Sequence, residues 1–206
     1  THDIVIVLIH GGHEYYHLPS PRMQKQYRFY AEQGADLIVG HHTHCIGGYE
    51  NYKGIPIVYS LGNLLFTSNN KSDQWYNGLV LEIDFAYNKI APVFHLIQQE
   101  KTNFKLLLLE NQEKLEIGEK FKKINSIIED EEKLNFHWRN YCKKQKEKYL
   151  SFWSPSFYLK NRYLRFITRK FFGSLRNDRM LSFYLNLVRC EAHRDLSIEI
   201  LEESLR

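Results

Sequence analysis

The feature that most restricts the fold is the apolar run at residues 4–9, most of which are β-branched. Runs of this kind are typical of a strand covered on both faces in a parallel sheet. A helix is predicted next, since Ser20 and Pro21 form an N-cap and a first-turn proline and Gly34 stands at the usual stop. A second apolar segment, residues 36–39, completes the order strand, helix, strand. That order predicts a βαβ unit with a right-handed crossover.

Three more strands are predicted before residue 100. Residues 55–61 form an apolar run of strand length, and residues 79–85 and 89–97 alternate between apolar and polar around Ala86-Tyr87-Asn88. Alternation on both sides of a short turn is typical of a β-hairpin. The first half is therefore predicted to be an α/β unit.

Composition changes near residue 100. Residues 1–100 carry a net charge of −3 and residues 101–206 a net charge of +7, and glycine falls from 9 residues to 2. The second part is predicted to be helical and basic, with one charged helix over residues 114–150, where apolar residues recur at helical spacing. Ser154-Pro155 predicts the start of another helix, and Gly173-Ser174 separates it from a last helix that ends near Leu205.

Several classes of protein are excluded by composition. Aromatic residues make up 15% of the 206 residues, which rules out a disordered chain. No apolar run approaches the roughly 20 residues that cross a bilayer. The three cysteines are widely spaced and are predicted to be reduced, buried thiols. Because a buried-type strand begins so close to Thr1, we expect the chain to be the C-terminal portion of a longer protein.

Histidines stand at the ends of two predicted strands. His10 follows the first strand directly, and His41, His42 and His44 follow the second. The carboxyl ends of parallel strands meet at one edge of a sheet, where ligands bind in α/β proteins. Imidazole is a common transition-metal ligand, and a His-x-His pair on an extended segment points both rings to one side. A single strand-end histidine is more often structural, but His10, His42 and His44 together favour a metal site. For His41 and His13 three roles stay open: a metal ligand, a residue that contacts a ligand, or a solvent-facing residue.

Four motifs in this part resemble the CapA family of capsule and poly-γ-glutamate synthesis proteins, a branch of the calcineurin-like metallophosphoesterases. The resemblance covers about residues 3–98 and rests on motifs that keep the order and spacing of the family. These motifs are His10-Gly11-Gly12-His13-Glu14-Tyr15, Gly34-Ala35-Asp36, Gly40-His41-His42-Thr43-His44 with Glu50, and the segment from Tyr59 to Phe66 that contains Ser60-Leu61-Gly62-Asn63. Residues 101–206 match no family that we can name.

The resemblance implies a fold, a metal site and a chemistry. The fold would be the C-terminal part of a four-layer α/β/β/α sandwich, followed by a helical region. By similarity His10, His42 and His44 would be metal ligands, Glu14 would reach the metals or a substrate amine, and His13 would donate a proton to the leaving group. The metals would be Mn, Fe or Zn, two in a complete domain, acting on water in the hydrolysis of a phosphoester or a polymer amide.

Two departures limit what the resemblance implies. Gly11 stands where many members of the family have tryptophan, which removes a large wall beside the site. The Asp, His and Asn ligands from the first half of such domains are also absent, including a bridging carboxylate. Three histidines supply no negative charge to hold two ions together, so this chain is expected to bind at most one metal. The resemblance also implies a cell-envelope location, and the chain carries no recognisable signal or anchor.

The segment at residues 152–172 interleaves aromatic and basic residues. Three interpretations stay open: an amphipathic helix that packs on the sandwich, a helix on an anionic membrane surface, and a site for an acidic polymer. No nucleic-acid partner is expected, because the positive charge is spread over helices of mixed sign. The chain is thus predicted to be a metal-dependent hydrolase of capsule synthesis that acts on an anionic polymer or phosphoester. The alternative is a non-catalytic accessory that binds an acidic polymer or an anionic membrane surface.

Overall fold

The computed structural model describes residues 3–66, 73–86, 89–152, 159–174 and 177–189. It divides into two compact units, Thr1–Cys142 and Lys143–Arg206. The first unit is built on two β-sheets and three helices, and the third helix continues into the second unit. The α/β class predicted from the sequence is therefore confirmed.

The first sheet contains four strands in the spatial order β1-β2-β4-β3. The strands span Ile6–His10 (β1), Leu37–His41 (β2), Tyr49–Tyr52 (β3) and Ile55–Val58 (β4). β1, β2 and β4 are parallel, and β3 is antiparallel to β4. Helix α1, Pro21–Glu32, connects β1 to β2. The predicted βαβ unit is confirmed, and its two strand ends lie side by side.

Local chemistry sets the limits of α1. The Ser20 hydroxyl oxygen accepts a hydrogen bond from the Met23 amide at 3.2 Å, and Pro21 occupies the first turn, where its missing N–H costs nothing. Gly34 follows the helix with a φ of +97°, a conformation that glycine adopts without steric cost. Both ends were predicted from these residues.

The first strand is less covered than its sequence predicts. β1 is an edge strand, and Ile6 and Leu8 are 38% and 77% exposed on one of its faces. Only the opposite face, with Val7 and Ile9, packs against the core. The prediction of a strand covered on both faces is wrong for the described part of the chain, because nothing in that part lies over Ile6 and Leu8.

The second sheet is antiparallel and packs against the first. Its strands are Asn77–Ala86 (β5), Lys89–Gln99 (β6) and Leu106–Leu108 (β7), in the order β5-β6-β7. Leu81 and Phe94 are cross-strand partners in the β5–β6 hairpin, as its alternating sequence predicted. Leu81, Ile83 and Phe94 pack against Leu37, Val39 and Val58 of the first sheet. The two sheets therefore form a sandwich with a shared apolar interior.

Helices cover the other face of the first sheet. Helices α2, Asn111–Ile128, and α3, Glu131–Phe152, replace the single helix predicted over residues 114–150. That prediction is wrong at residues 129–130, where the Asp130 carboxylate accepts a hydrogen bond from the Lys133 amide at 3.0 Å and caps α3. The core here consists of residues from α1, the first sheet, α2 and α3, among them Tyr27, Ile38, Ile57, Tyr59, Ile128 and Leu134. The described part of the first unit thus has three layers, in the order helices, first sheet and second sheet. The predicted four-layer sandwich stays a prediction.

Helix α2 lies unusually close to the chain before β3. The Tyr49 amide donates a hydrogen bond to the Asn125 side chain, and the Gln24 side chain donates to the Ile128 carbonyl, both at 2.8 Å. A Cβ added at Gly48 would lie 2.1 Å from Cδ1 of Ile128 and 2.7 Å from Cγ2 of Ile124. Glycine is therefore required at this position for α2 to approach the sheet.

The compact unit extends beyond the change in composition. It ends at Cys142. Composition predicted a domain boundary near residue 100, and that boundary stays a prediction.

Two of the three cysteines lie among the described residues. Cys45 is buried and free, as predicted, but Cys142 is exposed, so the prediction of a buried thiol is wrong there. Cys190 lies outside the described residues.

The second unit contains two further helices, α4 at Arg162–Ser174 and α5 at Asp178–Arg189. Asn161 caps the start of α4, since its side-chain oxygen accepts a hydrogen bond from the Tyr163 amide at 2.9 Å. Two helices are present, as predicted, but Gly173 and Ser174 are the last residues of α4 and do not lie between the helices. The predicted start at Ser154-Pro155 and the end near Leu205 lie outside the described residues. Of the helices that the structure describes, none is both long and apolar enough to span a membrane.

Candidate functional site

The ends of β1 and β2 bring their histidines together. His10 and His41 are register partners in the parallel pair, and their ring centroids are 6.1 Å apart. His42 follows at once, with Nδ1 3.1 Å from Nε2 of His10. The predicted meeting of strand-end histidines is confirmed. We call His10, His41, His42 and His44 the histidine cluster.

The His-x-His segment is not extended, although the sequence analysis assumed that it was. His42 and His44 have φ angles of +109° and +56°, which residues other than glycine rarely adopt. The Thr43 hydroxyl between them lies 2.9 Å from both the Cys45 carbonyl oxygen and the Ser60 hydroxyl, so the turn is held from inside. The two rings nevertheless stay close, with centroids 6.0 Å apart. Backbone strain of about 1–3 kcal/mol at such a residue is typical of functional sites.

His44 is oriented by an amide side chain. Asn63 donates a hydrogen bond from Nδ2 to the Trp75 carbonyl at 2.9 Å, which turns its Oδ1 toward Nδ1 of His44 at 2.9 Å. Since Oδ1 only accepts, Nδ1 of His44 donates this hydrogen bond, and in the neutral ring the lone pair is on Nε2. The ring also stacks on Trp75, with centroids 5.0 Å apart. This is the arrangement that fixes a metal-binding histidine, in which one ring nitrogen is held and the other is left available.

The loop at residues 11–15 lies against the histidine cluster. The Gly11 amide donates to the His41 carbonyl at 3.0 Å, and the Tyr15 amide donates to the Thr43 carbonyl at 2.8 Å. The His13 ring in this loop contacts Trp138 of α3, with centroids 4.8 Å apart. Trp138 lies in the segment for which the sequence predicts a charged helix with apolar residues at helical spacing. No local signal could reveal this contact, because the two residues are far apart along the chain.

Electrostatics favours neutral imidazoles around the cluster. Burial lowers the pKa of His13, and the charges of Arg22 and His42 lower it further. Burial also lowers the pKa of His41, together with the neighbouring charges of His10, His44 and His42. Both rings are therefore neutral at pH 7, the form that binds metals. A neutral His13 can accept a proton there, and the role of proton donor predicted for it would require prior protonation.

The donor set fits part of a metal site. Imidazoles such as those of His10, His42 and His44 suit Zn or Fe better than Mn, which prefers oxygen ligands, and His44 has the supporting contact that such ligands need. Glu14 is exposed and forms no hydrogen bond or ion pair with other described residues. Within the described ranges, no three His, Cys, Asp or Glu side chains already converge on one metal position. His10 and His42 instead contact each other directly, so metal binding would require their rings to separate.

A further histidine, His17, lies next to the cluster and was assigned no role from the sequence. Its Nδ1 is 2.7 Å from the Ile46 carbonyl and its Nε2 3.0 Å from the Gln74 side-chain oxygen, so both nitrogens face acceptors. Hydrogen bonding to Cys45 is the main cause that raises the pKa of His17 to about 9, and partial burial opposes it.

The raised pKa of His17 predicts a loss of stability at alkaline pH. The protonated ring stabilises the folded chain fully below its unfolded pKa of about 6.5, and this contribution is lost as the pH rises through about 9. The expected loss is about 3 kcal/mol, at roughly 1.4 kcal/mol for each pH unit between the two pKa values. Urea denaturation at pH 6, 8 and 10 measures it. His17→Gln should flatten this dependence, and an unchanged slope in that variant would contradict the assignment.

Comparison with known proteins connects this site to a family. Residues 1–68 match the model of the bacterial capsule synthesis protein family PGA_cap. A capsule biosynthesis protein CapA from Bacillus anthracis is 45% identical over 64 residues, which are 31% of this chain and 16% of that protein. A PGA biosynthesis protein CapA from Bacillus subtilis (strain 168) is 47% identical over 64 residues, 31% of this chain and 17% of that protein.

The aligned part is short relative to these relatives, since the chain spans about one sixth of the length of either. It nevertheless contains the whole histidine cluster, the loop at residues 11–15 and Asn63, because all of them lie within the matched range. The resemblance predicted from the four motifs is thereby confirmed. Over residues 1–68, about a third of its length, this chain is similar to the bacterial capsule synthesis family PGA_cap.

Proposed function

We propose that this chain acts in the biosynthesis of a capsule or of poly-γ-glutamate, and that it supplies ligands to a metal-dependent hydrolytic site. The names of the two relatives support the first part of the proposal. The observation that carries the second part is the clustering of three histidines after two parallel strands, inside the matched range. The ring centroid of His42 lies 4.8 Å from that of His10 and 6.0 Å from that of His44.

Each residue of the proposed site would have a separate role. His10, His42 and His44 would hold a divalent metal, and Asn63 would keep His44 in the binding tautomer. A metal held there supplies a Lewis acid and lowers the pKa of bound water toward neutrality. His13, neutral at pH 7, is placed in the neighbouring loop to accept a proton, and Glu14 is free to contact a substrate amine.

The charges around the cluster suit an anionic substrate. Arg22 lies near enough to His13 for its charge to lower the pKa of that ring. A fixed positive charge beside the loop would attract a phosphoester or a polymer of acidic residues. We therefore propose an anionic polymer or phosphoester as the substrate class, with hydrolysis of a phosphoester or a polymer amide as the reaction.

Metal binding tests the ligand assignment directly. Equilibrium dialysis of the 206-residue chain against Mn²⁺ or Zn²⁺ is expected to give at most one ion per chain. His42→Ala should weaken binding by about a hundredfold through loss of a ligand, and Asn63→Ala by about 10–100-fold through loss of the ring orientation. The matched control is His95→Ala, because His95 is a partly exposed histidine in β6 whose Nε2 is 2.6 Å from Glu82. Circular dichroism checks that each variant is folded.

The outcomes separate the parts of the proposal. Equal loss of binding in His42→Ala and His95→Ala would mean nonspecific coordination and would overturn the site. Specific binding of metal, followed by hydrolysis of a chromogenic phosphoester or of poly-γ-glutamate that His42→Ala abolishes, would support the enzyme. Specific binding without hydrolysis of either substrate would favour the accessory function, in which the histidines hold a structural ion.

A further inference from the structure

Helix α4 of the second unit exposes an apolar face that the proposed function does not use. Tyr163, Phe166 and Ile167 are 72%, 66% and 63% exposed, and their spacing of three and four places them on one side of the helix. Lys170, four residues after Phe166 and three after Ile167, is exposed on the same side, so a long basic side chain stands beside these apolar residues. Large apolar residues gathered on one exposed face mark an interaction surface.

The charges of α4 are all of one sign. The helix contains four arginine or lysine residues and no aspartate or glutamate, unlike α2 and α3, which mix both signs. The Arg165 guanidinium donates hydrogen bonds from Nε and Nη2 to the Leu159 carbonyl at 3.0 and 2.7 Å, which fixes the start of the helix. The Arg162 guanidinium lies 5.7 Å from the centre of the Tyr163 ring, so charge and aromatic surface adjoin.

We infer that α4 lies flat on an anionic lipid surface, with its apolar face in the boundary between headgroups and acyl chains. A helix of 13 residues is too short to cross a bilayer, but it suits the interface, where aromatic rings sit among the headgroups. The uniform positive charge is complementary to anionic headgroups. An acidic polymer would match the charge but would leave Phe166 and Ile167 in water, so the lipid surface accounts for both features.

Vesicle flotation of the full chain tests this surface. We expect binding to vesicles of phosphatidylglycerol and phosphatidylcholine at equal proportions, weakened by 0.5 M NaCl, and little binding to phosphatidylcholine alone. Arg162→Gln with Lys170→Gln should weaken binding by about fivefold for each charge removed. Phe166→Ser with Ile167→Ser should weaken it by about tenfold or more, since the inserted apolar area is lost.

Matched controls come from α2 of the other unit. Leu115→Ser changes an apolar residue that is 63% exposed, and Lys122→Gln with Lys123→Gln removes two exposed charges; neither should alter flotation. Equal binding to neutral vesicles would overturn the role of charge. Binding to poly-γ-glutamate without binding to vesicles would overturn the lipid surface, and so would self-association by light scattering that Phe166→Ser with Ile167→Ser abolishes.

Discussion

Replacing Glu50 by alanine is expected to destabilise the folded chain by about 3–5 kcal/mol. The Glu50 side chain in β3 is buried and accepts hydrogen bonds from Nε of Arg28 in α1 at 3.1 Å and from the hydroxyl of Tyr59, which directly follows β4. In the variant the Arg28 charge loses its carboxylate partner while it stays partly buried. Tyr59 loses its acceptor as well, and it cannot ionise instead, because burial, the largest cause, raises the pKa of Tyr59 far above the ordinary value.

Urea denaturation followed by circular dichroism measures this loss. Glu50→Gln should cost less than Glu50→Ala, since the amide keeps an acceptor for Tyr59. The matched control is Glu32→Ala, which removes an exposed carboxylate 2.7 Å from Lys53 and should cost far less than Glu50→Ala, because exposed ion pairs contribute little to stability. If Glu50→Ala and Glu32→Ala lose the same stability, the buried pair does not hold α1 to the sheet as described.

The second large effect is expected at Gly48. Gly48→Ala adds a methyl group that would lie 2.1 Å from Cδ1 of Ile128, a residue with no exposed surface. The side chain of Ile128 has nowhere to move, so α2 must shift away from the sheet and its contact with Tyr49 must lengthen. Overpacking of this kind costs about 1–3 kcal/mol, and we expect the upper part of that range.

A second glycine in the same region provides the control. Gly118→Ala in α2 adds a methyl group into open space and should stabilise the chain by about 0.5–1 kcal/mol through helix propensity. Ile128→Ala combined with Gly48→Ala should recover part of the loss from overpacking, although it leaves its own cavity. Denaturation midpoints compare the variants. A Gly48→Ala variant as stable as the native chain would show that α2 does not pack at this distance.

Local signals in the sequence were sufficient for several elements. Ser20, Pro21 and Gly34 act within a few residues of the helix ends that they determine, so their positions could be predicted without knowledge of the tertiary structure. The meeting of His10 with the histidines after β2 could also be predicted, because the carboxyl ends of parallel strands lie at one edge of a sheet.

Other features depend on contacts between distant residues. The helix break at residues 129–130 is made by Asp130, which in the sequence is one acidic residue among several. The positive φ angles at His42 and His44 depend on the Ser60 hydroxyl and Asn63, which belong to a later part of the chain. Periodicity and propensity describe neighbours along the chain, and they carry no information about such pairs.

The exposed edge of the first sheet has a consequence for handling the chain. β1 has one described neighbour, β2, so its other side offers free N–H and C=O groups beside the apolar Leu8. Flat apolar edges of this kind are templates for strand pairing between molecules, which ends in aggregates. Metal binding should therefore be measured at several protein concentrations. Chains that pair through β1 would bury the neighbouring His10, and metal binding would then be weakened by association between chains and not by a change in the ligands.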